Sequence, residues 1–387
     1  MISTTFLSLK SFFIDFMQPE SRILFAFIIS QVICAYSITI IVKISKAKLL
    51  FSIANERTEH TDDIPTLGGL AIYATLLIVS LSTINASGFS FIPKASLMPS
   101  LPSIIAGVTI LFFLGMKDDL LGVSWKKKLM GQIAAMLVLS IIGNERISNM
   151  QGLFGINEIT YQMSVLLTVF IGIVVINAFN LIDGIDGLAS GITMIVASTF
   201  GWNFFISGEK EYAVLCAIIL GALLPFFYFN VWGRKNKLFM GDTGSLILGF
   251  MITVLLIHFN KIFYVPNVTN NLPIASISIG ILIIPLFDTL RVFTIRILRK
   301  ESPFKADRNH IHHLLLSLGL NHLSVTMIIA AVNVLFIIIA FTLSGLGMTM
   351  LLLIYTVTAL TLVSIPLAIR DRRSKQEEKT RDANHVA

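Results

Sequence analysis

The sequence is poor in charge and in cysteine, and each shortage excludes a class of protein. Only 13% of its 387 residues are Asp, Glu, Lys or Arg, which is about half the share found in an ordinary soluble domain. Fifty-five per cent are hydrophobic, so a soluble globular protein and a disordered chain are both excluded. The two cysteines, Cys34 and Cys216, lie in apolar runs, so neither a disulfide framework nor a cysteine zinc site is expected. These observations indicate a polytopic membrane protein.

Eleven apolar stretches approach the length of about 20 residues that a transmembrane helix needs. We therefore predict an all-α, polytopic integral membrane protein with about 11 transmembrane helices, folded as a single domain over residues 1–387. No internal repeat, low-complexity segment or linker indicates a second domain. The predicted spans are 23–43, 68–86, 102–116, 129–143, 163–180, 188–207, 212–230, 243–260, 273–295, 323–343 and 347–369.

The distribution of Lys and Arg predicts the topology. When residues 1–22 are placed outside, the inside segments hold 22 of the 29 basic residues and the outside segments hold 6, with Arg291 inside a span. Basic residues collect on the cytoplasmic side of membrane proteins. We therefore expect the N-terminus outside and the C-terminus in the cytoplasm. Residues 370–387 then form a basic cytoplasmic tail that faces the anionic leaflet.

Five predicted cytoplasmic loops contain most of the residues that could take part in binding or catalysis. Carboxylates at a membrane are costly unless they are paired or bound to a metal. Mg²⁺ is held by one or two protein carboxylates together with phosphate oxygens, and Lys and Arg bind phosphate. The combination predicts a phosphoryl-transfer site at the cytoplasmic membrane surface. The loops contain Pro65-Thr-Leu-Gly-Gly69; Lys117-Asp118-Asp119 with Lys126–Lys128; Asn177-x-x-Asn180-x-x-Asp183-x-x-Asp186; Phe239-Met-Gly-Asp242; and Asp288, Arg291, Arg296 and Arg308 followed by His310-Ile-His312-His313.

Simpler interpretations stay open for single motifs. An Asp-Asp pair such as Asp118-Asp119 usually caps a helix or faces solvent. The run Lys126–Lys128 also fits a plain topology signal. The histidine motif has the composition of a metal cluster, although the carboxylates offer a harder site for a divalent cation. His322 receives no role.

Three of these motifs resemble those of a known family. The segments 177–188, 239–245 and 307–313 are similar to the motifs of the polyprenyl-phosphate N-acetylhexosamine-1-phosphate transferases, integral membrane enzymes that begin bacterial cell-surface glycan assembly. The resemblance spans about residues 55–315 and passes through all five loops in order. The His-Ile-His-His form at 310–313 resembles the branch that uses UDP-N-acetylglucosamine. The branch that uses UDP-muramoyl-pentapeptide has three consecutive histidines instead.

The resemblance implies a reaction and its partners. N-acetylhexosamine 1-phosphate, above all N-acetylglucosamine 1-phosphate, would pass from a UDP-sugar to undecaprenyl phosphate with release of UMP. The enzyme would lie in the bacterial inner membrane with its active site on the cytoplasmic face. Mg²⁺ is the implied cofactor, with Mn²⁺ as a substitute. The implied partners are a UDP-N-acetylhexosamine, the polyprenyl phosphate and membrane lipid, without nucleic acid, and a homodimer is left open.

The resemblance also implies residue roles. Asp242 would bind Mg²⁺, Asp118 and Asp119 would lie beside the attacking phosphate, and His310 would act at the phosphate or sugar. Asp118 is the candidate base, and direct attack and an aspartyl intermediate both stay open. Two alternatives remain: the muramoyl-pentapeptide branch, and a secondary transporter of an anionic solute, whose site would lie near the bilayer midplane. The other predicted substrate-binding residues are Lys128, Asn177, Asn180, Asp183, Asp186, Phe239, Arg308, His312 and His313.

Overall fold

The computed structural model describes residues 19–48, 64–84, 98–263, 273–301 and 309–386. Within these ranges the chain is helical and has no strand, apart from an isolated antiparallel bridge between Asn149 and Glu158. The helices are α1 (Pro19–Lys48), α2 (Gly68–Thr83), α3 (Leu101–Leu121), α4 (Trp125–Leu137), α5 (Tyr161–Ile182), α6 (Leu188–Ile206), α7 (Lys210–Trp232), α8 (Gly241–Ile262), α9 (Ile274–Ile281), α10 (Ile283–Leu298), α11 (Ile311–Leu316), α12 (His322–Thr342) and α13 (Met348–Val386).

Seven of the described helices are long and apolar enough to cross a membrane. They are α1, α5, α6, α7, α8, α12 and α13, with the candidate span of α13 running over Met348–Arg373. The all-helical character is confirmed, and the seven candidate spans agree with a multi-pass membrane protein. The count of eleven spans and the orientation stay predictions. Residues 370–386, predicted as a tail, continue α13 as helix.

The predicted span 273–295 is divided in the structure. It forms α9 and α10, which are separated at Leu282. Pro285 lies in the first turn of α10. Proline has no N–H and its ring clashes with the carbonyl four residues earlier, so it fits a first turn and not a helix interior.

Helix α8 is the centre of the bundle. In its most apolar window 89% of the residues are buried, and α2, α3 and α5 all pack against it. Two glycines permit this close packing at its N-terminal end. A Cβ on Gly69 of α2 would overlap the backbone of Gly244, and a Cβ on Gly115 of α3 would overlap the backbone of Thr243. The sequence motifs around these glycines therefore bring three helix ends together.

A buried polar cluster joins the opposite helix ends. The Tyr212 hydroxyl donates to Glu145 Oε1 at 3.0 Å, and Lys261 Nζ lies 3.6 Å from Glu145 Oε2. His258 stacks on the Tyr212 ring, with its Nε2 3.1 Å from Glu209 Oε2. Burial of Glu145 opposes its ionisation, but the adjacent His258 and the charge of Lys261 outweigh burial and lower the pKa of Glu145 below its ordinary value.

Candidate active site

The ammonium group of Lys128 joins three predicted loops. Lys128 Nζ lies 2.6 Å from Asp242 Oδ1 at the start of α8 and 3.0 Å from Asp118 Oδ2 at the end of α3. It also donates to Asn180 Oδ1 of α5 at 3.3 Å. Asn180 Nδ2 in turn donates to Asp242 Oδ1, and to Ser245 Oγ at 2.8 Å. Residues separated by more than a hundred positions therefore meet in one charged cluster, as the sequence analysis predicts for a single site.

Asp119 binds the N-terminus of α8. Its Oδ1 accepts the backbone N–H of Asp242 at 2.7 Å, and its Oδ2 accepts the N–H and the hydroxyl of Thr243 at 3.0 and 2.6 Å. The residue before α8, Met240, provides no side-chain cap. A carboxylate at this position satisfies free N–H groups and faces the positive end of the helix dipole. These contacts are those of a cap, and the catalytic role of Asp119 stays a prediction.

Asp183 is a carboxylate without a bonding partner among the described residues. It lies just beyond α5, and burial together with the charges of Asp242, Asp119 and Asp186 raises its pKa well above the ordinary value. A divalent cation relieves this kind of strain. Asp183 and Asp242 therefore fit a magnesium site with one or two protein ligands. Within the described ranges, no three Asp, Glu, His or Cys side chains form a full ligand set.

A second group of contacts surrounds Asp186. Lys237 Nζ donates to Asp186 Oδ2 at 2.7 Å and lies 5.6 Å from the centre of the Phe239 ring. His322 Nδ1 lies 3.3 Å from the same oxygen, and Thr326 donates to the Asp186 carbonyl at 3.0 Å. Burial of Asp186 is outweighed by its bonds to His322 and Lys237, so its pKa is lower than usual. Sequence reasoning gave no role to Lys237 or His322, because their pairing with Asp186 is set by the fold and not by spacing.

The histidine motif is attached to α10 through Asp288. Asp288 Oδ2 lies 2.9 Å from His310 Nδ1, and its Oδ1 accepts the backbone N–H of Ile311 at 3.0 Å and Arg291 Nη2 at 2.9 Å. The acceptor at Nδ1 favours the tautomer with a proton there, which leaves His310 Nε2 free for a substrate. His312 is buried, and burial and the neighbouring His313 lower the pKa of His312 to about 3. His312 is therefore neutral near pH 7 and offers a ligand no positive charge.

Two other predicted residues lie apart from these contacts. Asn177 and Gln132 form a reciprocal amide pair, with Asn177 Nδ2 donating to Gln132 Oε1 at 2.8 Å and Gln132 Nε2 donating back at 3.2 Å. This pair links α4 to α5 about one helical turn away from the contact between Lys128 and Asn180. Arg308 lies outside the described residues.

Comparison with known proteins identifies relatives of the chain. The sequence model of glycosyl transferase family 4 matches residues 101–260. A protein of Escherichia coli O157:H7 named undecaprenyl-phosphate alpha-N-acetylglucosaminyl 1-phosphate transferase is 32% identical over 281 residues, which cover 72% of each chain. A Bacillus subtilis (strain 168) protein named "Probable undecaprenyl-phosphate N-acetylglucosaminyl 1-phosphate transferase" is 31% identical over 331 residues, covering 84% of this chain and 86% of the relative. The family match contains the whole Lys128 cluster.

Proposed function

The chain belongs to glycosyl transferase family 4, and on that basis we propose that it transfers N-acetylhexosamine 1-phosphate from a UDP-sugar to undecaprenyl phosphate with release of UMP. N-acetylglucosamine is the first choice of sugar, because the named relatives are N-acetylglucosaminyl 1-phosphate transferases. The reaction takes place at the cytoplasmic face of the bacterial inner membrane.

The Lys128 cluster carries the proposal. Two carboxylates and an amide, from α3, α8 and α5, each lie within hydrogen-bonding distance of the ammonium group of Lys128 on α4. A structural ion pair needs two residues, whereas this cluster also has Asp183 nearby, which has no partner in the part of the chain that the structure describes. Carboxylates with an adjacent cation are typical of sites that handle metal-bound phosphates. A transporter of an anionic solute is disfavoured by family membership.

Each residue of the cluster has a proposed task. Lys128 uses its three donors to hold Asp118, Asp242 and Asn180 in place, and its positive charge attracts the phosphates of the substrate. Asp118 lies beside the attacking lipid phosphate. That phosphate is largely ionised near pH 7, because its second pKa is about 6, so Asp118 need only orient it. Asp119 positions Asp242 by holding the start of α8.

A magnesium ion fits Asp242 and Asp183, with Mn²⁺ as a substitute. When bound, it would neutralise the diphosphate and stabilise charge on the leaving UMP. Asp186, Lys237 and Phe239 form the proposed uracil subsite, where the ring of Phe239 stacks on the base. His310, oriented by Asp288 through Nδ1, offers Nε2 as an acceptor to a hydroxyl or N–H group of the sugar.

A transfer assay tests the proposal. Membranes that contain the protein are incubated with undecaprenyl phosphate, Mg²⁺ and radiolabelled UDP-N-acetylglucosamine, and the extracted lipid and released UMP are counted. We expect equal amounts of lipid-linked sugar phosphate and UMP. UDP-N-acetylgalactosamine and UDP-muramoyl-pentapeptide serve as parallel donors. Product from the muramoyl donor alone would place the chain in the other branch, and absence of lipid product with all three donors would refute the proposal.

The metal assignment has its own experiment. Asp242→Asn keeps the shape of the side chain and removes its charge, so we expect a rate lower by orders of magnitude and weaker binding of Mn²⁺ measured by electron paramagnetic resonance. Asp371→Asn, on the exposed part of α13, is the matched control. Unchanged Mn²⁺ binding in Asp242→Asn would remove Asp242 from the metal site.

A further inference from the structure

A basic pocket lies beside the candidate active site, between α10, α11 and α13. Its volume is about 580 Å³. Its charged lining consists of Arg291, Arg299 and Arg370, with His313 and His322 beside them, and no carboxylate among the described residues belongs to the lining. Neither Asp118, Lys128 nor Asp242 lines it, so the pocket is distinct from the Lys128 cluster.

The cations around this pocket are incompletely neutralised. Arg291 pairs with Asp288 at 2.9 Å, and Arg370 makes a long ion-pair contact with Asp371 at 3.7 Å. The side chain of Arg299 makes no hydrogen bond or ion pair with any part of the chain that the structure describes. Several like charges around one cavity repel one another, and an anion placed between them removes that repulsion. Guanidinium groups suit phosphate because they offer paired donors in a plane.

The position of the pocket at the ends of candidate membrane spans suits the binding of a lipid headgroup. Arg370 and Leu367 lie in the last turns of the candidate span Met348–Arg373, and His322 begins the candidate span of α12. Leu316 and Leu320 provide apolar surface next to the charged lining. Basic pockets between helix ends, with apolar surface next to them, bind the headgroups of anionic lipids. Arg373 Nη1 donates to the Leu318 carbonyl at 2.8 Å and keeps α13 against this surface.

We propose that this pocket binds a phosphate group, in addition to the substrates of the proposed reaction. The phosphate comes from an anionic phospholipid or from solution. Two of the lining residues also hold carboxylates near the candidate active site: Arg291 contacts Asp288, and His322 contacts Asp186. An occupant would therefore touch the groups that support both the histidine motif and the proposed uracil subsite.

Binding to the full-length protein tests this site. Delipidated protein in neutral detergent is titrated with phosphatidylglycerol or phosphatidylcholine, and bound lipid is counted by native mass spectrometry. We expect phosphatidylglycerol to bind more tightly. The double variant Arg299→Ala/Arg370→Ala should weaken that binding by about tenfold or more, the loss of at least one charge-assisted hydrogen bond. Arg372→Ala, on the same exposed stretch of α13 and outside the pocket, is the matched control and should bind normally.

Competition distinguishes the sources. Inorganic phosphate that displaces phosphatidylglycerol supports recognition of the phosphate alone, and failure to displace it supports a lipid ligand. Both arginines are exposed, and an unchanged thermal midpoint checks that the double variant folds. Equal phosphatidylglycerol binding by wild type and the double variant overturns the proposal. Displacement by UMP at the concentration that saturates the candidate active site would also overturn it, because the pocket would then belong to the nucleotide site.

Discussion

Replacing Asp119 by Asn should unfold the protein at a lower temperature, whereas replacing its neighbour Asp118 should not. Asp119 accepts three hydrogen bonds from the first residues of α8. In Asp119→Asn one oxygen becomes an NH₂ group, so at least one donor of α8 faces another donor. A hydrogen bond to a charged group contributes about 1.5–3 kcal/mol, and the charge at the helix N-terminus adds about 0.3–1 kcal/mol. The expected loss is about 3 kcal/mol.

This loss can be measured as a shift of the thermal unfolding midpoint in detergent. With an unfolding entropy of about 2.1 cal/mol/K per residue, a chain of 387 residues shifts by about 1.2 °C per kcal/mol, so Asp119→Asn should unfold roughly 4 °C below wild type. Asp118, the preceding residue, is the matched control. Its Oδ1 accepts the Val123 N–H at 2.7 Å, a bond that an Asn oxygen can replace, and Lys128 keeps its contact with Asp242. The contact of Oδ2 with Lys128 at 3.0 Å is lost, but burial and the charge of Asp242 raise the pKa of Asp118, so removing its charge also removes a repulsion that offsets this loss.

The two variants should therefore separate stability from chemistry. We expect Asp118→Asn to keep a midpoint near that of wild type and to lose turnover in the transfer assay. Asp119→Asn should lose stability first, and its turnover should fall because Asp242 is displaced. An Asp119→Asn protein with the wild-type midpoint and no turnover would refute the capping argument and assign Asp119 a chemical role.

Three further changes have defined outcomes. Lys128→Met leaves Asp118 and Asp242 facing each other without a cation, so we expect turnover to fall by at least about a hundredfold. Lys128→Arg should restore part of the activity. A wild-type rate in Lys128→Met would refute this prediction. Asp288→Asn removes the charge and one of the two acceptor oxygens that hold His310, Ile311 and Arg291, so kcat should fall and the pH–rate profile should shift, whereas a purely structural role would change neither in folded protein. Glu145 has a lowered pKa in the folded state, so its contribution to stability is present above the unfolded value of 4.5 and is lost as the pH falls through the folded value. Glu145→Gln should therefore lower the thermal midpoint at pH 7, with a difference from wild type that shrinks below about pH 4.5; a constant difference would contradict the linkage.

The convergence of the loops could be predicted from the sequence, because its signal is chemical. Asp118, Asn180 and Asp242 lie in motifs where charged or amide groups stand next to glycines at the ends of apolar stretches. Such residues are costly in lipid unless they meet one another. The structure brings these residues to one ammonium group, that of Lys128.

Other contacts left no local signal. Lys237 and His322 bind Asp186 across 51 and 136 positions, and neither spacing nor composition marks them. The two prolines also differ in a way that the sequence does not mark. Pro225 lies within the continuous helix α7, whereas α9 ends and α10 begins just before Pro285. A proline permits a helix break, and tertiary packing decides whether it occurs. The capping contact of Asp119 was one of two interpretations of the Asp-Asp pair, and only the position of α8 favours it.

The charge of the site leads to a last prediction, about the order of binding. Asp118 and Asp242 share the ammonium group of Lys128, Asp119 binds the backbone N–H of Asp242, and Asp183 has no partner among the described residues. A diphosphate that entered alone would add negative charge to this excess and would be repelled. We therefore expect the nucleotide to bind together with its divalent cation. Calorimetry of UMP and UDP binding should detect much weaker binding of both without Mg²⁺, and the Mg²⁺ effect should be larger for UDP because it carries more charge. In Asp183→Asn the dependence on Mg²⁺ should decrease, since the repulsion and a metal ligand are both removed. Tight UDP binding by wild type in the presence of a chelator would contradict this account of the four carboxylates.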